Sequence, residues 1–289
     1  METRVIEFAD GRELAWLQLG DPSGVPVFGF HGTPGSRLSL VVGDEPEMPP
    51  GIRLIVPDRP GYGHSSHDPH RRLIDWPNDV ELLADHLGIE RFAVMGVSGG
   101  GPYAVACARF LAERLVGVGV VSGVGPIWRD PLGLTEHMMG FNRVMFRLAR
   151  RSAWLPALIY SLGTAFAKRR PERTLESTVR ELPPPDLAVI SRPEIRSTFL
   201  RDFAHYPSTA GRAAARDYAL FCRDWGFRLE DISVPVHIWH GDQDRNVPIA
   251  AGRALASAIP GAVLHECPGE GHLLGFDHND EILLTVAKG

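Results

Sequence analysis

The sequence predicts an α/β protein with a mostly parallel eight-stranded sheet, helices on both faces and an inserted helical block. Three observations predict it. Short unbroken apolar runs alternate with amphipathic stretches over the first 126 residues and again after residue 225. Continuous apolar strands are covered on both faces, which is the habit of parallel sheets packed between helices. Several of these runs end in glycine-rich turns. Between residues 127 and 225 the rhythm is lost, and the chain reads as helical, arginine-rich and interrupted by three prolines at 183–185. The expected organisation is therefore a core of residues 1–126 and 226–289 with a helical cap, or lid, at 127–225.

Val5–Phe8 and Glu13–Leu19 flank the turn at Asp10-Gly11 and read as a hairpin. Val25–Phe30 is a buried strand that runs into His31-Gly32-Thr33-Pro34-Gly35. Ile52–Pro57 is another, ending in Asp58-Arg59-Pro60-Gly61-Tyr62-Gly63. Ile74–Leu87 has helical spacing and stops at Gly88. Phe92–Val97 is a strand ending in Ser98-Gly99-Gly100-Gly101, followed by a helix at Pro102–Leu111 and a strand at Leu115–Ser122. After the inserted block come a strand at Val234–Trp239, a helix at Ala250–Ala258, a strand at Ala262–Glu266 and a closing helix at Asp280–Ala287.

Composition excludes several classes. Glycine and proline total 31 + 24 = 55 of 289 residues, below the level that marks low complexity. No apolar run approaches the 18 residues needed to span a bilayer. The stretch Met1–Asp10 is acidic and alternating and does not read as a signal peptide. Three cysteines, Cys107, Cys222 and Cys267, lie far apart, which argues for a reducing, cytoplasmic setting over a disulfide framework. A net charge of −5 makes nucleic acid an unsuitable partner. That average hides an asymmetry. The inserted block carries 16 basic against 10 acidic residues, so +6, and the remainder carries 14 against 25, so −11.

The strongest chemical signal is Gly96-Val97-Ser98-Gly99-Gly100, between a buried strand and a helix. That is the context of a G-x-S-x-G nucleophile elbow, in which glycines permit a turn too tight for side chains and the serine hydroxyl is exposed at the sheet edge. Glycine-rich strand-to-helix turns also bind phosphates. This one lacks the Gly-Lys-Ser/Thr and the G-x-G-x-x-G of the phosphate motifs. A serine needs a base to take its proton. His272, in Gly269-Glu270-Gly271-His272, follows the last strand, and Asp242 and Asp244 follow the strand before it. The order serine, acid, histidine is the one this fold order expects.

Taken together, the loops at 31–35, 58–65, 96–100 and 241–248 with Gly271-His272 resemble the serine hydrolases of the α/β-hydrolase superfamily that carry a helical cap. The resemblance runs from residue 31 to residue 272. It implies that Ser98 is the nucleophile, His272 the general base and acid, and Asp244 the residue that orients the imidazole, with Asp242 as the rival. It also implies an oxyanion hole made by the backbone N–H groups of Thr33 and Gly99. No metal and no cofactor are expected. His31 and Asp58 match positions that brace loops.

Other conspicuous residues have blander readings. His64, His67, Asp68 and His70 fall in a loop without ligand spacing. Cys107 lies on the helix after the elbow and reads as core. Asp130 follows the strand where some relatives carry their acid. Glu270, beside the base, reads as solvent-facing. Met138, Met139, Phe141 and Met145 have helical spacing and are candidate linings for an apolar acyl group. The basic runs at Arg147, Arg150, Arg151 and Lys168-Arg169-Arg170 read as solvated faces, as docking points on the acidic core, or as an attractor for anionic substrate.

A serine at the elbow distinguishes the chain from epoxide hydrolases and haloalkane dehalogenases, which carry aspartate there. Proline iminopeptidases have glycine where this chain has Thr33 and bind the substrate amine with lid carboxylates, for which Glu172, Glu176 and Glu181 are candidates. C–C bond hydrolases and cofactor-free haloperoxidases use the same triad. The expected activity is hydrolysis of a small carboxylic ester with an apolar acyl group. The contrasting class is a triad-bearing ligand receptor or signalling protein.

Overall fold

The computed structural model describes residues 2–43, 46–130 and 133–289. Eight strands form one sheet: β1 (Arg4–Glu7), β2 (Glu13–Gly20), β3 (Val25–Phe30), β4 (Ile52–Pro57), β5 (Phe92–Val97), β6 (Leu115–Val121), β7 (Val236–Gly241) and β8 (Val263–Cys267). Their spatial order is β1-β2-β4-β3-β5-β6-β7-β8. β1 and β2 form the antiparallel hairpin, and every pair from β4 through β8 is parallel.

The strand sequences explain the burial. In β5 the side chains of Phe92 and Val94 enter one apolar layer, and Ala93 and Met95 enter the other. Helices α1 (Trp76–His86), α2 (Gly101–Phe110) and α9 (Ala250–Ala258) contribute to the first layer. The closing helix α10 (Asn279–Val286) contributes Ile282, Leu283 and Val286 to the second. A strand buried on both faces has no polar positions to alternate with, which is why these segments read as unbroken apolar runs.

Between β6 and β7 stand the inserted helices: α3 (Gly140–Ala149), α4 (Trp154–Arg169), α5 (Pro171–Val179), α6 (Pro184–Ile190), α7 (Pro193–Ala204) and α8 (Ala210–Phe221). Three of them begin with proline, which fits a first helical turn because no N–H is needed there. The described residues before Gly140 form turns, not helix.

The inserted helices are tied to the sheet by buried aspartates. Asp217 of α8 accepts hydrogen bonds from the hydroxyls of Thr33 (2.7 Å), Tyr62 (2.7 Å) and Tyr103 (2.6 Å). It also accepts from the guanidinium groups of Arg59 (2.7 Å) and Arg71 (2.6 Å). All of these groups are fully or almost fully buried except the threonine. Burial alone would raise the Asp217 pKa, but the fields of Arg59 and Arg71 and the hydroxyl donors overcome it and hold the carboxylate well below its ordinary range. The ion is therefore permanent at any working pH.

Removing one partner of a buried ion pair leaves its counter-charges stranded, at a typical cost of about 3–5 kcal/mol. Asp217→Ala should therefore lower the unfolding free energy by an amount on that scale, seen as a lower urea midpoint. Chemical denaturation of the two proteins side by side measures it, and a loss no larger than that of an exposed-site variant would refute the anchoring role.

Candidate active site

Ser98 sits between β5 and α2 with φ of 54°, one of two non-glycine residues with positive φ among the described residues. A non-glycine residue there is strained and persists only when its surroundings enforce it. The enforcement comes from its glycines. A Cβ on Gly96 would lie 2.3 Å from the Gly100 oxygen, and one on Gly100 would lie 2.2 Å from the Phe30 oxygen. The turn can close only because neither side chain exists.

The structure brings Ser98, His272 and Asp244 together. His272 Nε2 lies 3.0 Å from Ser98 Oγ, and His272 Nδ1 lies 2.8 Å from Asp244 Oδ2. Asp244 Oδ1 accepts from the N–H groups of Asn246 (2.8 Å) and Val247 (2.9 Å), which fixes the carboxylate plane. Burial opposes the charge on Asp244, but the field and hydrogen bond of His272, together with His240, bring its pKa below the ordinary value. For His272 the balance runs the other way. Burial disfavours the imidazolium, and the field and hydrogen bond of Asp244, aided by Asp186, outweigh it and raise the pKa above 6.5.

The loop after β3 borders Ser98. A Cβ on Gly99 would lie 2.3 Å from Thr33 Oγ1 and 3.1 Å from the Thr33 nitrogen, so the backbones of Thr33 and Gly99 are in close approach. His31 holds this loop. It donates from Nδ1 to the Gly32 oxygen (2.8 Å) and accepts at Nε2 from the Arg59 N–H (3.0 Å). Burial and the neighbouring Arg59 charge lower its pKa well below the usual histidine value, so it stays neutral. Arg59 reaches back to the oxygens of His31 (3.1 Å) and Gly32 (2.9 Å) and to Thr33 Oγ1 (2.8 Å).

Two apolar chambers meet at Ser98. The smaller, about 210 Å³, lies on the His272 side and is walled by Leu54, Met95, Val121, Phe199, Phe276 and Ile282. The larger, about 550 Å³, lies beneath the inserted helices and is walled by Met139, Phe141, Phe146, Tyr160, Tyr218 and Phe221. No lysine or arginine lines either chamber among the described residues. A cleft of about 960 Å³ behind Asp244 contains neither Ser98 nor His272.

Other sequence candidates fall elsewhere. Met139 and Phe141 line the large chamber, but Met138 and Met145 do not. Helix α3 starts only at Gly140, so Met138 precedes it and faces the outer cleft. Asn142 and Phe146 share the chamber face, and Met145, about 100° around the helix from Phe146, turns into the core. Asp242 is exposed and accepts from the Gly269 N–H (2.8 Å), and Asp130 accepts from the Gly133 N–H (2.9 Å), so both brace their own loops. Asp58 pairs with Arg37 and accepts from the N–H groups of Arg37 (2.7 Å) and His64 (2.9 Å). The Cys107 thiol is buried, which pushes its pKa well up. Glu270 is not solvent-facing alone: it binds His278 at 2.9 Å.

Among the described residues one group of potential metal ligands gathers, Cys267 with Glu270 and His278. Its members are otherwise engaged. His278 is held between Glu270 and Glu281 (3.0 Å), and burial pushes the Cys267 thiol up to about 11, so it stays protonated.

Sequence reasoning missed three carboxylates of the inserted helices. Asp217 is described above. Asp186 of α6 accepts from the Leu273 N–H (2.8 Å), against the His272 loop. Asp202 of α7 lines the small chamber and is bound by the Ser36 hydroxyl. A signal existed for Asp217: its i±3 and i±4 neighbours are Ala213, Ala214, Leu220 and Phe221, so an aspartate stands on the apolar stripe of its helix.

The sequence profile of the alpha/beta hydrolase fold matches residues 25–279. The chain belongs to the α/β-hydrolase family. It is 27% identical to a proline iminopeptidase of Xanthomonas citri, over 97% of this chain and 93% of that one. It is 31% identical to an uncharacterized hydrolase, YcgS, of Bacillus subtilis, over 55% of this chain and 54% of that protein. A thermophilic esterase from Thermogutta terrifontis superposes with a TM-score of 0.69 at 22% identity, covering 99% of this chain and 97% of that one, a likeness of fold.

Asp202 gives a test of the packing around the small chamber. Burial, reinforced by the nearby Asp58 charge, raises its pKa to about 7. The unfolded chain loses this proton near the ordinary value of 3.8, so stability falls as pH rises from there to about 7 and stays low above. Asp202→Asn should then raise the thermal midpoint relative to the parent by a margin that grows from pH 5 to pH 8. A margin independent of pH, followed by calorimetry, would refute this.

Proposed function

We propose that this protein is a serine hydrolase that cleaves a small carboxylic ester with apolar substituents, and that residues 127–225 form its cap. The observation that carries the reading is His272, held between Ser98 and Asp244 at 3.0 and 2.8 Å, at the meeting point of two apolar chambers. Ser98 Oγ attacks the ester carbonyl as His272 Nε2 takes its proton. The backbone N–H groups of Thr33 and Gly99 receive the developing oxyanion; one such donor is typically worth about 2.7–4 kcal/mol in the transition state. His272 then returns the proton to the departing alkoxide, leaving an acyl-enzyme that water cleaves by the same route. Asp244 keeps the proton on Nδ1 and stabilises the imidazolium without accepting the proton itself.

The chambers support a division of the substrate. The alcohol leaves from the His272 side, where the small chamber lies. The acyl group then occupies the large chamber beneath the aromatic cap residues, next to Gly99. With no lysine or arginine in either lining among the described residues and walls that are mostly apolar, both chambers suit apolar groups better than an anionic substrate. A peptidase would need cap carboxylates at the chamber to hold an amine. Glu172 pairs with Arg196 and Glu176 stands exposed; Glu181 borders the large chamber, and Asp202, which lines the small one, is engaged by the Ser36 hydroxyl, so the ester reading is preferred. The three cysteines are free, which supports a reducing, cytoplasmic setting.

The deciding experiment is labelling with a serine-directed phosphonate alongside steady-state turnover of p-nitrophenyl esters. One label per chain is expected, absent in Ser98→Ala, with multiple turnovers by the parent; a triad-bearing receptor would stop after one. Asp244→Asn should lower kcat by about 10⁴ by favouring the wrong tautomer, and Asp242→Asn should cost far less. The reverse ranking would mean that the acid has been misassigned.

The pH profile follows from the raised pKa of His272. The base must be neutral, so activity is lost as pH falls through its folded-state pKa. In the free enzyme kcat/KM should rise through an apparent pKa above 6.5 and then level off. An apparent pKa below 6.5 would contradict the Asp244 contact as the dominant influence.

A further inference from the structure

Helix α4 turns an apolar stripe outward. Trp154, Leu158, Leu162 and Phe166 recur every fourth residue and remain 67%, 49%, 65% and 50% exposed. Residues four apart lie on one face, so these four form a single line over a helix of 16 residues, about 24 Å long. The opposite face, with Pro156, Tyr160, Thr164 and Ala167, is buried. A solvated helix carries charge on its outer face. From Trp154 to Ala167 this one carries none.

The charge lies at the two ends instead. Arg147, Arg150 and Arg151 precede the stripe, and Lys168, Arg169, Arg170 and Arg173 follow it; all seven are exposed. None of them makes an ion pair among the described residues. Between 147 and 173 the only acidic residue is Glu172, and it is paired with Arg196 (3.3 Å). The buried aspartates of the inserted helices, Asp186, Asp202 and Asp217, face the core and do not offset this outer field. The chain as a whole is acidic, so the cations here are concentrated at the stripe.

A line of tryptophan, leucine and phenylalanine bracketed by arginine and lysine is the composition of a helix lying in the plane of a lipid interface. The sign of the charge selects an anionic one. A second copy of this chain is a poorer occupant. Docking α4 on its two-fold mate would set the Arg150-Arg151 end against the partner's lysine and arginine end, and opposed like charges disfavour the contact.

We propose that the outer face of α4 docks on an anionic lipid surface. Trp154, Leu158, Leu162 and Phe166 enter the headgroup boundary, and the flanking cations meet the lipid phosphates. Gly163 and Phe166 also line the large chamber, so docking places the chamber beside the interface. The docking does not depend on the ester-hydrolase reading, and vesicle binding tests it separately.

The test is co-sedimentation of the full chain with phosphatidylcholine vesicles, with and without phosphatidylglycerol. Binding to the anionic vesicles should exceed binding to neutral ones by roughly tenfold or more, and weaken as salt approaches ~1 M. Trp154→Ser/Leu158→Ser/Leu162→Ser should lose at least tenfold in vesicle affinity. These three side chains do not line either chamber, so hydrolysis of a soluble short ester should be unchanged and report that the variant is folded. Brominated lipids should quench the parent's fluorescence more than that of Trp154→Phe. The proposal is overturned by absence of binding to either vesicle, by a triple variant that binds like the parent, or by equal quenching. It is also overturned if sedimentation velocity shows a parent dimer that the triple variant dissolves while neither protein binds vesicles.

Discussion

A single buried carboxylate connects the parts of this molecule. Asp217 comes from a helix inserted late in the chain, yet its hydrogen bonds reach the loop after β3 through Thr33, the loop after β4 through Arg59 and Tyr62, the chain before α1 through Arg71, and α2 through Tyr103. Isolated, such a charge could not be buried, because its desolvation would cost several kcal/mol. Two guanidinium groups and three hydroxyls compensate it, and each is thereby fixed in position. Arg59 in turn binds the carbonyls of His31 and Gly32, so the position of the Thr33 N–H is determined partly by a residue of the inserted helices.

The same logic of compensation runs through the rest of the site. Ser98 occupies a strained backbone conformation because the tight turn between β5 and α2 leaves no alternative, and the glycines around it remove the collisions that would open the turn. Asp244 is buried as an anion because two backbone N–H groups and an imidazole face it. Asp186 sits against the backbone of the histidine loop and adds to the field that raises the His272 pKa. Residues of the inserted helices thus act on both sides of Ser98, on the loop of Thr33 through Asp217 and on the loop of His272 through Asp186. A shift of those helices would alter both.

The distribution of charge has two consequences. Within the inserted block, Asp186, Asp202 and Asp217 turn inward, and Arg147, Arg150, Arg151, Lys168, Arg169, Arg170 and Arg173 turn outward. The inward set anchors the helices, and no lysine or arginine lines the chambers among the described residues. The outward set leaves positive charge around an apolar stripe that no described residue covers. One stretch of sequence therefore serves as wall for a chamber and as a surface toward the surroundings.

The features legible from residue order alone are local. Strand runs, the glycine elbow and the order of Ser98, Asp244 and His272 were legible because each depends on a few adjacent residues: a tight turn needs glycine, and a buried strand needs an unbroken apolar run. Loop-bracing by His31 and Asp58 was legible through family likeness. Tertiary structure alone decided which carboxylates point inward. Asp186 and Asp202 look like ordinary helix surface residues in sequence, and the apolar stripe around Asp217 marks it as buried without naming its partners; the partners of the three lie 87, 166 and 184 positions away at Leu273, Ser36 and Thr33. It also decided that Met139 reaches the chamber and Met145 does not, because that depends on where α3 begins and how it is rotated. Composition showed that the inserted block is basic, but only packing revealed that no lysine or arginine lines the chambers among the described residues and that seven of the sixteen cations flank one exposed apolar stripe.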